Sequence, residues 1–191
     1  MSTVREDIPA EFLSALRALR PDSIPAHLRI EEIPAPKAFT PYAAALSGEI
    51  LNSKGSDDVL ADGSLTLLYS PTHVDEWGGK FRFATIVRTT LDNEMSRDPL
   101  LYEVSRSWVR DSLASTDARY TELRGTVTTL TEESFAYEDD AETASRLEIR
   151  ASWAPISENP AEIYLEFKHH LESWMNLLFT TAGFPMLFVQ R

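Results

Sequence analysis

Apolar and polar residues alternate between Lys80 and Leu91, and this alternation sets the fold class of the chain. Successive side chains of a strand point to opposite faces of a sheet. One face of this strand therefore carries Phe81, Phe83, Val87 and Leu91, and the other carries Lys80, Arg82, Ala84, Ile86 and Arg88. A sheet with one apolar face buries that face under helices and leaves the other face uncovered. The pattern predicts an antiparallel sheet in an α+β protein.

Four other segments have the residue types and spacing of strands. Residues 64–70 form a buried strand, and a hairpin connection at residues 71–79 joins it to the strand just described. Residues 118–131 and 145–153 form a second hairpin across an acidic turn. Residues 42–51 are rich in small side chains and fit either a helix or a strand, and we favour a strand. The polar residues 52–63 are expected to form a loop.

Apolar residues at three- and four-residue spacing predict three amphipathic helices, at residues 9–19, 100–113 and 163–179. Asp98 and Pro99 suit the start of the second helix. Four prolines between residues 25 and 41 exclude a helix there and favour an extended strap over the surface. The expected order is αβββαββα, with about five strands and the helices on one face. We expect a single domain over residues 1–191.

The chain is acidic, with 30 Asp and Glu residues against 18 Lys and Arg residues and a net charge of −12. The negative electrostatic potential of such a protein repels the phosphates of nucleic acids, so we expect no binding to DNA. The basic face of the predicted sheet is the one feature that favours binding to RNA. The absence of cysteine excludes disulfides, thiolate nucleophiles and cysteine-bound metals. The first residues are acidic and no apolar run is long enough to span a bilayer. We therefore expect a cytoplasmic protein that does not contact a membrane.

The polar face of the predicted sheet collects basic residues. Its candidate binding residues are Arg82, Arg88, Arg124, Arg146, Arg150, Glu122 and Glu148. Two interpretations stay open. Either the two glutamates neutralise the arginines across the strands, or the guanidinium groups bind an anion or an acidic segment of a partner. Trp77, which precedes two glycines in a turn, is a further candidate for an exposed contact.

No segment assembles a complete catalytic or metal-binding set. Glu166 lies three and four residues before His169 and His170, which is the spacing of half a di-metal site, but no other helix supplies the second half. On the helical wheel, His170 falls at the edge of the core stripe. The sequence HVDE at residues 73–76 falls in the hairpin connection and is expected to be solvated. We expect no cofactor and no metal, and we favour a non-catalytic role over an enzyme.

Five segments of the chain carry a family likeness: RIEEIPAPKAFTPYAAALSGEI, DPLLYEVSRSWVRDSL, GTVTTLTEESF, EIRASWAP and LESWMNLLFTTAGFP. Together they resemble the actinobacterial domain of unknown function 3000, from about Phe12 to Pro185, and residues 33–36 and 151–153 are the more specific pieces. The resemblance implies a cytosolic single-domain protein and transfers no catalytic residue. The order of elements also resembles that of type III secretion chaperones, small acidic proteins that dimerise and hold extended peptide segments.

Two functions are compatible with these observations. The first is a non-catalytic module that binds a protein partner of unknown identity, along the open sheet face or through a homodimer interface built on a helix. The second is a small-ligand binder or enzyme in which Arg82 or Arg88 holds an anion and Glu122 or Glu148 acts as an acid or base. The two differ in whether the sheet face carries a deep polar pocket.

Overall fold

The computed structural model describes residues 8–36, 40–92, 94–134, 142–157 and 159–189. Its strands are β1 (Leu28–Ile33), β2 (Tyr42–Leu51), β3 (Val59–Tyr69), β4 (Phe81–Leu91), β5 (Tyr120–Ser134) and β6 (Glu142–Pro155). Its helices are α1 (Ala10–Ala18), α2 (Val74–Trp77), α3 (Leu101–Ser115) and α4 (Ile163–Thr181), with 3₁₀ turns at Met95–Arg97 and Pro160–Glu162. All strands join one antiparallel sheet in the order β1-β2-β3-β4-β6-β5. The α+β class is confirmed, with six strands in place of about five.

The core face of the sheet carries the side chains that the alternation predicted. Phe83 lies opposite Trp153, and Val87 lies opposite Ile149, across the β4–β6 ladder. All four side chains are at most 1% exposed. The long helix α4 covers this face, and α1 and α3 pack against it. Removing such side chains from water stabilises the fold by roughly 1.5–3 kcal/mol each.

Two glycines allow α4 to approach the sheet closely. Gly48 of β2 and Gly63 of β3 lie opposite each other in the ladder, beneath Trp174 and Leu178 of α4. A Cβ on Gly48 would lie 2.8 Å from the Leu178 side chain, and a Cβ on Gly63 would lie 2.6 Å from the backbone oxygen of Ile86. No larger residue fits at either position without moving the helix or the neighbouring strand.

The proline-rich segment contains a strand that the sequence analysis missed. We expected a surface strap, whereas Leu28–Ile33 forms β1 and pairs with β2 along its whole length. The prolines at positions 25 and 34 flank this strand and leave its amide groups free to join the ladder. Proline content therefore marks the ends of β1 and does not exclude it.

Other connections also differ from the expectation. β3 begins at Val59, so the expected loop over residues 52–63 ends five residues earlier than predicted, at residue 58. The hairpin connection at residues 71–79 contains the one-turn helix α2. Residues 42–51 form a strand, as we favoured. Most of the expected acidic turn, residues 135–141, lies outside the described residues.

The long helices lie where the periodicity placed them, with differences of a few residues at their ends. The second predicted helix corresponds to α3, which begins at Leu101, and the side chain of Asp98 accepts a hydrogen bond from the amide of Leu100 at 2.8 Å. Of its predicted apolar stripe, Leu101, Val109 and Leu113 are buried. α4 ends before Gly183, whose φ is +83°. No helix among the described residues is both long and apolar enough to cross a membrane.

Candidate functional site

Arg82 is buried at one end of the face that we expected to be uncovered, where the α2 turn lies against it. Its Nη1 donates to the backbone oxygen of Trp77 at 2.9 Å, and its Nη2 donates to the backbone oxygen of Glu122 at 3.0 Å and to Ser152 Oγ at 2.9 Å. Burial, with the nearby charge of Arg124, lowers the pKa of Arg82. Its donors are directed to protein oxygens, so Arg82 joins α2, β5 and β6.

The central arginines of the open face share one carboxylate. Arg88 Nε donates to Glu148 at 2.7 Å, and Arg150 Nε donates to the other oxygen of the same carboxylate at 2.6 Å. Burial opposes the ionisation of Glu148, but these two hydrogen bonds outweigh it and lower its pKa. Arg88 also lies 3.6 Å from Asp62, whose pKa is raised because burial outweighs that contact.

The remaining candidate arginines also have carboxylate neighbours. Arg124 Nη2 donates to Glu122 at 2.6 Å, and Arg146 lies 3.9 Å from Glu132. These pairs are largely exposed, so each contributes at most about 1 kcal/mol. Each exposed candidate arginine thus has a carboxylate partner, which is the arrangement that the neutralisation interpretation describes. Two members of this set, Arg124 and Arg150, also line an open cleft between β5 and α3, which is described below.

Trp77 ends the one-turn helix α2 and is half-buried. Its ring stacks on that of His73 with centroids 5.0 Å apart and an angle of 20° between the planes. His73 Nδ1 in turn lies 2.7 Å from Ser70 Oγ. Residues 74–76 are exposed, as expected of a solvated connection, but they form a helical turn rather than a loop, and part of Trp77 remains accessible.

Glu166 and His170 are buried together in the core. His170 is fully buried rather than at the edge of the core stripe, and its Nδ1 accepts a hydrogen bond from Trp153 Nε1 at 3.1 Å. Burial, with His169 nearby, lowers the pKa of His170 to about 3. Glu166 accepts hydrogen bonds from the amide and Nε of Arg119 at 2.7 and 3.2 Å. Within the described ranges, no group of three or more His, Asp or Glu side chains is placed to hold a metal ion.

The strand β5 is a long and unprotected edge of the sheet. It pairs with β6 on one side, and no described strand pairs with its other side. None of its side chains is buried. Its central residues, Gly125–Thr131, carry no charge, whereas natural edge strands are commonly protected by charges, prolines or a covering element. We call Gly125–Thr131 the uncharged edge.

A cleft of about 350 Å³ lies between β5 and α3. Its apolar floor includes Leu123, Val127 and Ile149, and Gly125 supplies no side chain to fill it. Arg106 and Arg110 of α3 line the opposite wall and are exposed. The cleft shares lining residues with the uncharged edge, so a chain bound along that edge would lie at its mouth.

The sequence analysis missed both the edge and the two cleft arginines. Strand order was the missing information, because only the insertion of β6 between β4 and β5 leaves β5 at the end of the sheet. One signal was present in the sequence. Tyr102, Arg106 and Arg110 recur at four-residue spacing and share one side of α3, and the Tyr102 hydroxyl lies 2.8 Å from Thr129 Oγ1 of β5.

The fold and these surfaces define an α+β protein with an ion-paired open sheet face and an edge strand, β5, whose central residues carry no charge. The chain belongs to the family described as Protein of unknown function (DUF3000), whose model matches residues 8–190. No curated protein and no solved structure matches the chain. The likeness to type III secretion chaperones in the order of elements is therefore unsupported by these comparisons.

Proposed function

We propose that this chain is a non-catalytic protein-binding module that takes up an extended segment of a partner along the free edge of β5. The uncharged edge, Gly125–Thr131, is the observation that carries the proposal. Its outward amide and carbonyl groups have no strand partner among the described residues. An added strand satisfies such groups with main-chain hydrogen bonds, which is a common mode of peptide recognition.

The opposite edge of the sheet supports the choice of β5. β1 has six residues, contains Arg29, Glu31 and Glu32, and is followed directly by Pro34. Shortness, charge and proline are the features by which native sheets avoid pairing with other chains. β5 has fifteen residues, and its only charges lie outside the uncharged edge. The edge of β1 thus carries these protective features along its whole length, whereas the central residues of β5 carry none of them.

Site-specific photocrosslinking tests the proposal. A photoreactive p-benzoylphenylalanine replaces Thr128 in the middle of the uncharged edge, and the matched control replaces Glu31 in the middle of β1. We expect irradiation of cells to give a discrete protein adduct from position 128 and none from position 31. Equal adducts from both edges, or none from position 128, would contradict the proposal. A cytoplasmic location is part of the proposal, and fractionation of the same cells tests it.

A small amphiphilic anion is a second candidate ligand, and the cleft between α3 and β5 favours it. Small-molecule sites are concave, mostly apolar and carry a few directed polar groups, and this cleft has an apolar floor and two arginines at its wall. The open face favours such a ligand less, because its exposed arginines already contact carboxylates.

A fluorescent apolar anion, 8-anilinonaphthalene-1-sulfonate, serves as the probe for the second candidate. If the cleft binds such ligands, the double substitution Arg106→Gln and Arg110→Gln should remove most of the fluorescence increase. The control double substitution Arg17→Gln in α1 and Arg20→Gln just after it should leave the fluorescence increase unchanged. Equal fluorescence from all three proteins would exclude the cleft as the binding site.

A further inference from the structure

We infer that the segment taken up by β5 is the β5 strand of a second copy of this chain, so that two sheets join edge to edge about a two-fold axis at Thr128. The inference rests on the proposed function, because it names the partner of the same edge. Three observations support it: the uncharged edge is symmetric about Thr128, charged residues flank it, and charged side chains beside it on α3 and β5 have no side-chain partner among the described residues.

Thr128 is the central residue of the uncharged edge, with three uncharged residues on each side. When two identical antiparallel strands pair about a two-fold axis, a residue three positions before the axis opposes the residue three positions after it. Pairing about Thr128 therefore places Gly125 opposite the second copy's Thr131. No charged side chain is introduced into the paired region between them.

The residues that flank the uncharged edge, Arg124 and Glu132, meet in this register, and each also has a partner within its own chain, Glu122 for Arg124 and Arg146 for Glu132. Glu132 lies four positions after Thr128, so it opposes the second copy's Arg124 four positions before. Both side chains lie on the open face, since Arg124 pairs with Ser152 and Thr128 with Glu148 in the β5–β6 ladder. Side chains that are directly opposite in an antiparallel pair lie within reach of an ion pair. The same contact forms twice, once on each side of the axis.

On the helix-covered face the register brings a second pair of charges together. Glu133 opposes the second copy's Leu123, which lies in the floor of the cleft. The wall above that floor carries Arg106 and Arg110. Glu133 of one copy therefore lies next to the cleft of the other copy, where two guanidinium groups can pair with its carboxylate.

These charged groups are available for a new partner. Arg106 Nε donates only to the backbone oxygen of Tyr102, at 3.3 Å. Neither Arg110 nor Glu133 makes a side-chain hydrogen bond or an ion pair within the described residues. This contrasts with Arg88 and Arg150, which share one carboxylate.

The net charge of −12 opposes association of two copies at long range. Salt screens that repulsion beyond roughly 10 Å, whereas contacts across the paired strands are shorter. Whether two copies associate then depends on the ion pairs at the interface and on the main-chain hydrogen bonds between the two β5 strands. A partner with a basic segment would meet Arg106 and Arg110 unfavourably, while β5 itself supplies acidic residues at the required end.

A charge exchange between two variants tests the inference. The first variant combines Arg106→Glu with Arg110→Glu, and the second is Glu133→Lys, which leaves the Glu132–Arg124 contact unchanged. We expect the wild-type chain to have the mass of a dimer in light scattering, and each variant alone to raise the dissociation constant by about tenfold or more. An equimolar mixture of the two variants should recover a heterodimer, because both symmetry-related contacts become attractive.

The control Arg17→Glu with Arg20→Glu, in and just after α1, makes the same change in net charge as the first variant and should remain a dimer. All substitutions are at exposed positions, and circular dichroism with thermal unfolding checks that each variant folds. A monomeric wild-type chain, or a dimer that survives both variants, overturns the inference. If the wild-type chain is monomeric and position 128 crosslinks to a different protein, the inference fails and the proposed function stands. If a dimer forms but position 128 gives no adduct, both fail.

Discussion

The guanidinium of Arg82 donates to the backbone oxygen of Glu122 at 3.0 Å, and Glu122 adopts a positive φ of 52°. This unusual backbone lies in a β-bulge, where Glu122 and Leu123 together oppose Trp153 between the pairs at Thr121 and Arg124. The left-handed region costs a non-glycine residue roughly 1–2 kcal/mol. The contact with Arg82 helps to hold the bulge in this conformation and links it to the α2 turn.

We predict that Arg82→Gln lowers the free energy of unfolding by about 2–3 kcal/mol. The shorter neutral side chain cannot reach Trp77, Glu122 and Ser152 together, so buried oxygens lose their donors. Chemical denaturation measures the change. The control Arg88→Gln is on the same strand and face but at an exposed position, and it should cost less than about 1 kcal/mol. Equal losses from both variants would show that Arg82 does not stabilise the bulge.

The glycine beneath α4 gives a second prediction. Gly63→Ala places a Cβ 2.6 Å from the backbone oxygen of Ile86, and a backbone atom cannot move aside cheaply. We expect a loss of about 1–3 kcal/mol of unfolding free energy from this overpacking. At Gly79 nothing lies within 4 Å of the position of a Cβ, so Gly79→Ala should change stability by less than about 0.5 kcal/mol. Thermal unfolding of the two variants compares them, and a Gly63→Ala protein as stable as the control would contradict the packing argument.

His170 makes the stability of the fold depend on pH. Its folded pKa of about 3 is below its ordinary value of 6.5, because burial, with His169 nearby, disfavours the charged imidazole. Trp153 Nε1 donates to its Nδ1, Glu166 lies 3.8 Å from its Nε2, and Arg119 lies beyond that carboxylate. The unfolded chain therefore binds a proton below pH 6.5 that the folded chain does not bind until about pH 3.

We predict that the contribution of His170 is fully present above pH 6.5 and is lost as the pH falls, by up to about 1.4 kcal/mol per pH unit. Urea unfolding between pH 6.5 and roughly 4.5 measures this slope above the range in which ordinary carboxylates titrate. His170→Asn keeps an acceptor for Trp153 and should flatten the slope while lowering stability at neutral pH. Nuclear magnetic resonance gives the direct check: an imidazole of His170 that titrates near pH 6.5 in the folded protein would refute the prediction.

Asn176 connects the segment after α4 to the helical layer. Its Oδ1 accepts from the amides of Leu187 and Phe188 at 2.9 and 3.0 Å, and its Nδ2 donates to Ser115 Oγ at 2.9 Å and to the backbone oxygen of Phe188 at 2.5 Å. The side chain is fully buried. The side-chain amide of Asn176 makes two of these hydrogen bonds as a donor and two as an acceptor, so both its NH₂ group and its oxygen are required.

We predict that Asn176→Asp costs about 3 kcal/mol of unfolding free energy, because two acceptors lose their donor and a charge is buried. Hydrogen exchange should show faster exchange at the amides of Leu187 and Phe188. Asn159 is the control, because among the described residues its side chain uses only Oδ1, which accepts a hydrogen bond from the amide of Ala161 at 3.0 Å. Asn159→Asp keeps that acceptor and should be nearly neutral. Unchanged exchange in the Asn176→Asp protein would refute the prediction.

The periodic spacing of apolar residues within single strands and helices predicted much of the core. The alternation in β4 assigned Phe83 and Val87 to the core face, and both are fully buried. The three- and four-residue spacing in α4 likewise assigned Phe167 and Trp174 to the core, and both are fully buried. These assignments succeed because the direction of a side chain depends on its own backbone and its nearest neighbours.

The candidate site was predicted less completely. Arg88, Arg124, Arg146 and Arg150 lie exposed on the expected face, but Arg82 is buried by the connection that contains α2. A helix of one turn has too few residues for a periodic pattern, so the sequence indicated a loop there. The strand β1 was missed for a related reason, because six residues between prolines are too few to show a clear alternation of apolar and polar residues.

The amino-acid sequence by itself determined the α+β class, the two faces of the sheet, the positions of the long helices and the family. Only the tertiary structure decided that β5 is an edge strand, that Arg82 contacts Glu122, and that Arg106 and Arg110 line a cleft. The first group depends on periods of two to four residues, which can be read within one element. The second depends on which elements become neighbours, and residues 40 or more positions apart, such as Arg82 and Glu122, carry no local mark of their contact.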